Sequence, residues 1–562
     1  MMKNGQFRIG LIVGVFIFLY AILIYNFFYW QVLRHDELRI IGEKQSTESL
    51  VQEQKRGEIR FSDNFPIATN KTKYLLYANP KVVTDRLDYG QKLSPLIESP
   101  EASIAAQLSK DLFWVKLATS LDSKQKKEIE NLKLPGIGFS ALTERFYPEA
   151  SIAAHLVGFV GKNTKDESVG YFGLEGYYND LLSGRPGKLY VVRDAFGNRI
   201  AGDVREEKKI DGKTLVLTID RTIQFIAQKK LKDAVERYGA EGGSIIIMDT
   251  QTGKLLAMAS FPAFDNQKYY EYEASTYKNP IISDLYEPGS TFKVLIMGAA
   301  LDKGVVKPDT KCDICAGPVQ IGEYNVKTWN DKYYPNTTMT DVIKHSDNTG
   351  MVFVGRKLGL QNLLSYFEKF GIGKRTGIDL QGEVASQLRD KDSWYAIDAA
   401  TATFGQGISV TSLELLTAVN SIANDGILMK PYVVSKIIDS EGKIIEIKPE
   451  EVKRTISSAA ARAVNQMMVN AVENGEAKFA RIKNYKIAGK TGTAQIPVAG
   501  HYDPNQTIAS FIGFFPSEKP RISMFVIIKR PQSSIYGADT AAPVFFSVAK
   551  DIISYYNIAP SN

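Results

Sequence analysis

Residues 9–30 form a nearly unbroken apolar run of 22 residues, from Ile9 to Trp30, with Lys3 and Arg8 ahead of it. A bilayer core takes about 20 residues of helix, and only a helix satisfies its own backbone there. The segment therefore predicts one membrane-crossing helix, with Tyr25, Tyr29 and Trp30 at the outer interface. A removable leader has a shorter core and small residues after it, and Phe27-Phe28-Tyr29-Trp30-Gln31-Val32 offers none. The anchor is expected to be retained. Basic residues lie on both sides, so charge alone leaves orientation open. With only eight residues ahead of the anchor, the bulk of the chain is expected outside.

A chain of 562 residues predicts three or four structural units. Apolar content of 44% and charged content of 23% are those of folded material. A net charge of +7 without dense Lys/Arg blocks gives nucleic-acid binding no support. The two cysteines, Cys312 and Cys315, supply only half a metal site, and the four histidines show no ligand spacing around them. Neither a metal nor a cofactor is expected. The pair reads as a local disulfide or as two packed thiols.

Residues 286–293, Tyr-Glu-Pro-Gly-Ser-Thr-Phe-Lys, read as a loop turning into a helix. Ser290 and Lys293 then share one helix face, so an amine stands within reach of a hydroxyl proton. That is the minimum apparatus for a serine nucleophile without histidine. Ser-x-x-Lys alone is weak, since it also starts at Ser123, Ser275, Ser440 and Ser547. What separates Ser290 is its company. Ser346-Asp347-Asn348 follows 56 residues later, and Lys490-Thr491-Gly492-Thr493 begins 144 residues beyond Ser346. This trio, in this order, resembles the signature of penicillin-binding proteins and class A β-lactamases.

The resemblance extends beyond the trio. Residues 56–68 are similar to the opening of the pedestal domain in class B penicillin-binding proteins, keeping Arg56, Gly57, Ile59 and Ala68 but with Phe61 where that family usually has Asp. Residues 145–148, 153–161 and 173–176 look like later pedestal blocks, with Ala150 in place of the usual Gly. His155 is read as structural, and a second Ser-Asp-Asn, at residues 62–64, as a surface turn. Trp329-Asn330 and residues 404–407, 424–426 and 509–516 continue the likeness through the C-terminal half. It covers residues 9–555 and is closest to division- and sporulation-type members.

The implied fold is a multidomain α/β (α+β) chain. A tail (1–8), an anchor (9–30) and a polar helical stalk (31–55) precede a mixed α/β pedestal of the dimerisation type (56–208). A transpeptidase domain follows (209–562), an antiparallel sheet flanked by helices plus an all-helical part. The implied chemistry is D,D-transpeptidation in bacterial wall synthesis, of the septal kind, inhibited covalently by β-lactams. Ser290 would be acylated by D-Ala-D-Ala, with Lys293 as base. Ser346 would relay protons to or from Lys293 or Lys490, and Asn348 would hold the substrate amide. Lys490, Thr491 and Thr493 would hold the terminal carboxylate, with Gly492 allowing close approach to the strand. The backbone N–H groups of Ser290 and Thr493 would form the oxyanion hole.

Other classes stay in view: a β-lactam sensor, a non-catalytic scaffold, a D,D-carboxypeptidase or a β-lactamase. Between Asn348 and Lys490 there is no Glu-x-x-Leu-Asn pattern of the kind that positions a deacylating water. A short tail offers a sensor no output, and a scaffold would tolerate loss of Ser290 or Lys293. No glycosyltransferase domain is expected ahead of the pedestal. The implied partners are stem peptides on peptidoglycan or its lipid-linked precursor, the membrane, a separate glycosyltransferase and other wall-synthesis membrane proteins. The implied location is the bacterial inner membrane, single-pass, with the catalytic domain extracytoplasmic.

Overall fold

A computed structural model describes residues 3–192, 205–498 and 501–561. The chain divides into two compact units. The first joins residues 1–55 to a returning segment, 184–211. It opens with the helix Lys3–Phe28, and the apolar helical stretch Gly5–Leu33 is long enough to cross a membrane and has none of its apolar window buried. The polar helix His35–Ser46 follows. The expected helical stalk ends there, because Thr47–Gln52 is a strand, antiparallel to Gly187–Val192. Its pairing partner lies far along the chain, which local periodicity does not reveal.

The second unit contains residues 56–183 and 212–562. One sheet begins with the long antiparallel pair Pro66–Ala78 and Ile137–Phe146. Ile59–Arg60 extends it and runs parallel to Thr214–Leu217, which pairs in turn with Val434–Ile438. Strands from both sides of residue 208 thus share one sheet. Helices Arg86–Ile97, Glu101–Leu108 and Ser123–Asn131 cover a small core of Leu76, Leu93, Leu108 and Ile129. The first of these starts at Asp85, whose carboxylate accepts from the Leu87 and Asp88 N–H groups.

The segments that resembled pedestal blocks meet in a buried ion cluster. Glu175 is fully buried, and its carboxylate takes Arg145 Nε at 2.6 Å and Arg56 Nε at 2.7 Å. Arg145 also donates to the Gly57 carbonyl at 2.8 Å. Gly57 must be glycine, since a Cβ there would fall 1.9 Å from the Lys213 carbonyl oxygen. Phe61 is fully buried in the main hydrophobic core, so an apolar ring is accommodated where the family usually has Asp. His155 is buried, and its Nε2 donates to the Thr276 carbonyl at 3.0 Å. Burial pushes its pKa down to about 4, so it stays neutral.

Ala150 ends the turn that begins at Tyr147 and sits at φ 47°, in the left-handed region. An L-residue there pays roughly 1–2 kcal/mol, and glycine's extra unfolded-state freedom returns about half of that. Ala150→Gly is therefore expected to raise stability by about 0.5–1 kcal/mol, seen as a higher denaturant midpoint. A lower midpoint would mean that the strain is absorbed elsewhere.

The C-terminal sheet has five antiparallel strands in the order Leu255–Phe261, Gly242–Asp249, Ile522–Lys529, His501–Phe515, Ala488–Val498. Side chains alternate between its faces. Ile245 and Ile247 face the core beneath helices Arg221–Tyr238 and Ala541–Tyr555, while Ile246 and Met248 join the core that holds Lys293–Asp302 and Ser412–Ala423. The expected antiparallel sheet flanked by helices is present. Cys312 and Cys315 are both buried and joined as a disulfide, one of the two readings open from sequence.

Candidate active site

Ser290 lies in the 3₁₀ turn Gly289–Phe292, and Lys293 opens the helix Lys293–Asp302. That helix is buried on all sides from Lys293 to Ala300, so it can only be an interior helix. Its position strips Lys293 of water. Phe292 locks the turn against Phe367, with ring centroids 5.5 Å apart, and Gly289 N–H donates to the Gly405 carbonyl at 2.9 Å.

Ser346 and Asn348 are placed by a break between two helices. Ser346 caps Met339–His345 with a left-handed backbone, φ 56°. Asp347 then caps Asn348–Leu358, its carboxylate accepting from Thr349 and Gly350 N–H at 2.8 and 3.1 Å. Such backbone strain in a non-glycine residue is held by its surroundings and clusters at functional sites. The break turns the Ser346 hydroxyl towards two lysines. Lys293 Nζ lies 3.3 Å from Ser346 Oγ and donates to the Ser346 carbonyl and Asn348 Oδ1, each at 2.7 Å. Lys490 Nζ lies 3.0 Å from the same hydroxyl. Asn348 is itself held by donating to the Lys327 carbonyl at 2.9 Å.

Both lysines are buried, Lys293 completely. Desolvation, followed by repulsion from Lys490, holds the Lys293 amine well below the usual lysine range, with Asp347 and Glu476 opposing. Lys490 is lowered too, by burial, and Glu476 opposes that shift. Two buried amines that share one hydroxyl disfavour being charged together, which eases loss of the Lys293 proton.

Lys490 to Thr493 lie on the strand Ala488–Val498, which borders the serine-bearing turn. Gly492 also has a packing reason to be glycine. A Cβ there would meet Ser510 Oγ at 2.3 Å and Thr291 Cγ2 at 2.8 Å. A side chain there would press on both the neighbouring strand, through Ser510, and the serine-bearing turn, through Thr291. Thr493 Oγ1 accepts from Gly537 N–H at 3.1 Å. Ser290, Ser346, Asn348, Thr491 and Thr493 line one cleft of about 910 Å³, with Trp329 and Tyr536 meeting edge to face at 5.6 Å.

Residues 243–553, more than half of the chain, match the family described as "Penicillin binding protein transpeptidase domain", and residues 51–217 match "Penicillin-binding Protein dimerisation domain". The chain is a class B penicillin-binding protein. It is similar, at 30% identity over 98% of its length and 85% of the relative's, to stage V sporulation protein D of Bacillus subtilis (strain 168). It is 30% identical to the peptidoglycan D,D-transpeptidase FtsI of Escherichia coli (strain K12), over 99% of this chain and 93% of that one. Penicillin binding protein 3 of Mycobacterium tuberculosis, solved with aztreonam, superposes with a TM-score of 0.72 at 25% identity, covering 91% of this chain and 98% of that one.

In this penicillin-binding protein the structure brings together the seven polar residues singled out by sequence, Ser290, Lys293, Ser346, Asn348, Lys490, Thr491 and Thr493, and with them one that sequence reasoning missed. Glu476 lies just after the helix Ser458–Asn474, and its carboxylate accepts from Thr491 Oγ1 at 2.9 Å. Its neighbours in sequence, Gly475 and Ala477, carry no pattern that would single it out.

Proposed function

We propose that this protein cross-links peptidoglycan as a D,D-transpeptidase, with Ser290 as nucleophile. The observation that carries the reading is the fully buried Lys293, hydrogen-bonded to Ser346 and Asn348 one turn from Ser290. Ser290 Oγ attacks the carbonyl carbon between the two D-Ala residues, and its proton passes to neutral Lys293. The backbone N–H groups of Ser290 and Thr493 receive the negative charge on the carbonyl oxygen. Collapse breaks the C–N bond. The proton returns through Ser346 to the leaving amine, D-Ala departs, and an ester to Ser290 remains. An amine of a second stem peptide then attacks the ester, loses a proton along the same relay and restores the Ser290 hydroxyl. One amide bond is exchanged for another, so no cofactor is required. A β-lactam follows the first half, but its leaving nitrogen stays tethered to the acyl group.

Lys490, Thr491 and Thr493 hold the donor's terminal carboxylate in this scheme. The apolar N-terminal helix anchors the protein in the inner membrane with the catalytic part extracytoplasmic, where the lipid-linked substrate is. Glycan polymerisation falls to a separate glycosyltransferase, with other wall-synthesis membrane proteins alongside. The full-length likeness to FtsI and to stage V sporulation protein D supports wall synthesis, and septal synthesis is our reading within it.

The test is peptide mass spectrometry of the full-length protein in detergent after penicillin treatment. A penicilloyl adduct is expected on Ser290 and is expected to be absent in Ser290→Ala. An adduct elsewhere, or none, overturns the assignment. Turnover of a stem-peptide donor with and without an amine acceptor then separates transfer from hydrolysis.

A further inference from the structure

We propose that Glu476 is a specificity-determining residue that competes with the donor's terminal carboxylate for the Thr491 hydroxyl. The inference rests on the transpeptidase reading above and concerns its carboxylate-binding end. A threonine hydroxyl has one proton to donate, and an ionised carboxylate can only accept. The 2.9 Å contact therefore commits the Thr491 proton to Glu476 Oε2. Lys490 Nζ stands on the other side of that hydroxyl, 3.3 Å from Oγ1 and 3.2 Å from the Thr491 carbonyl. Thr491 is buried, Glu476 is half-buried, and both line the cleft that holds Ser290.

A donor carboxylate drawn to Lys490, Thr491 and Thr493 must take that proton from Glu476. It must then sit beside a second negative charge in a partly desolvated cleft, where like charges repel more than in water. A donor whose C-terminus is a carboxamide meets neither obstacle, since its N–H groups can donate to Glu476. Glu476 thus lowers reactivity towards carboxylate-bearing donors, carboxylate-bearing β-lactams included, relative to neutral analogues. No motif in the chain announces this. It follows from a carboxylate placed against the strand that carries the Lys-Thr-Gly-Thr segment.

The experiment uses the full-length protein in detergent and its isosteric variant Glu476→Gln. Second-order rate constants for Ser290 acylation are measured with an N-acyl-D-Ala-D-Ala donor and with its C-terminal carboxamide. The carboxylate-to-carboxamide ratio is expected to rise about tenfold in the variant, and acylation by benzylpenicillin to rise with it. An unchanged or lower ratio overturns the proposal, whatever happens to the absolute rates. A general folding defect slows both donors alike and leaves the ratio readable on the active fraction. If the unaltered protein forms no Ser290 adduct with any of these reagents, the transpeptidase reading fails and takes this inference with it. Normal adducts with an unchanged ratio sink the role of Glu476 alone.

Discussion

Lys293→Met is expected to slow acylation of Ser290 by about 10²–10⁴-fold while leaving the protein folded. Methionine matches the length and apolar stem of lysine, and the helix around it is buried throughout. The substitution removes the donor to Ser346 and Asn348, which costs stability. It also removes an amine that the interior desolvates, which offsets part of that cost. The sharper readout is pH. A lysine base works only when neutral, and burial with the Lys490 charge moves its deprotonation well below 10.5. The unaltered protein should therefore gain acylation rate as pH rises through that lowered pKa. Towards higher pH the rate should fall as Lys490, also lowered, loses the charge that draws the donor carboxylate. In Lys293→Met the rise at lower pH should vanish and the fall at higher pH should remain. Stopped-flow labelling with a fluorescent penicillin measures both limbs. A variant that kept the rising limb would show that another group is the base.

The parts of this site that could be read from sequence are those whose geometry is local. Ser290 and Lys293 are one helical turn apart, and their spacing alone brings them together. Ser346 and Lys490 share a hydrogen bond across 144 residues, and only their resemblance to a known pattern linked them beforehand. Glu476 reaches Thr491 from the end of a helix 15 residues earlier. No periodicity predicts where such a helix end lands. Gly492 was legible as a position needing close approach, and the crowding of Thr291 and Ser510 against it was not, because both reach it from distant segments. The antiparallel sheet around Gly242–Asp249 was expected from the resemblance, and its pairing with Leu255–Phe261 is a local hairpin. The strand Thr47–Gln52 was not, because its partner, Gly187–Val192, lies on the far side of the pedestal in sequence. Contacts of long sequence separation are decided by packing, and packing leaves little trace in a short window of residues.

The pedestal offers the second large effect. Glu175→Gln is expected to cost about 3–5 kcal/mol of local stability. The Glu175 side chain has no exposed surface, and those of Arg145 and Arg56 are only 5% and 10% exposed. Glutamine keeps the shape but removes the charge of the one carboxylate that both buried guanidinium groups hydrogen-bond. The penalty is that of unpaired buried cations, larger than the net worth of the intact cluster. The cluster joins segments that begin at residues 56, 145 and 173, so its loss should loosen the strands Pro66–Ala78 and Ile137–Phe146 together. Because a chain of several units need not unfold in one step, hydrogen exchange of these strands is the appropriate measurement. Acid supplies an independent check. Burial alone would raise the Glu175 pKa, yet the two arginines outweigh it and hold the carboxyl below its ordinary value of 4.5. A carboxylate depressed in the folded state adds stability that is complete above the unfolded pKa and is lost as pH falls through the folded one. Protection of these strands, taken relative to intrinsic exchange at each pH, should therefore fall in the unaltered protein below about pH 4.5, while Glu175→Gln, already weakly protected, should lack that component. Equal protection in both proteins at neutral pH would show that the cluster does not hold the pedestal together.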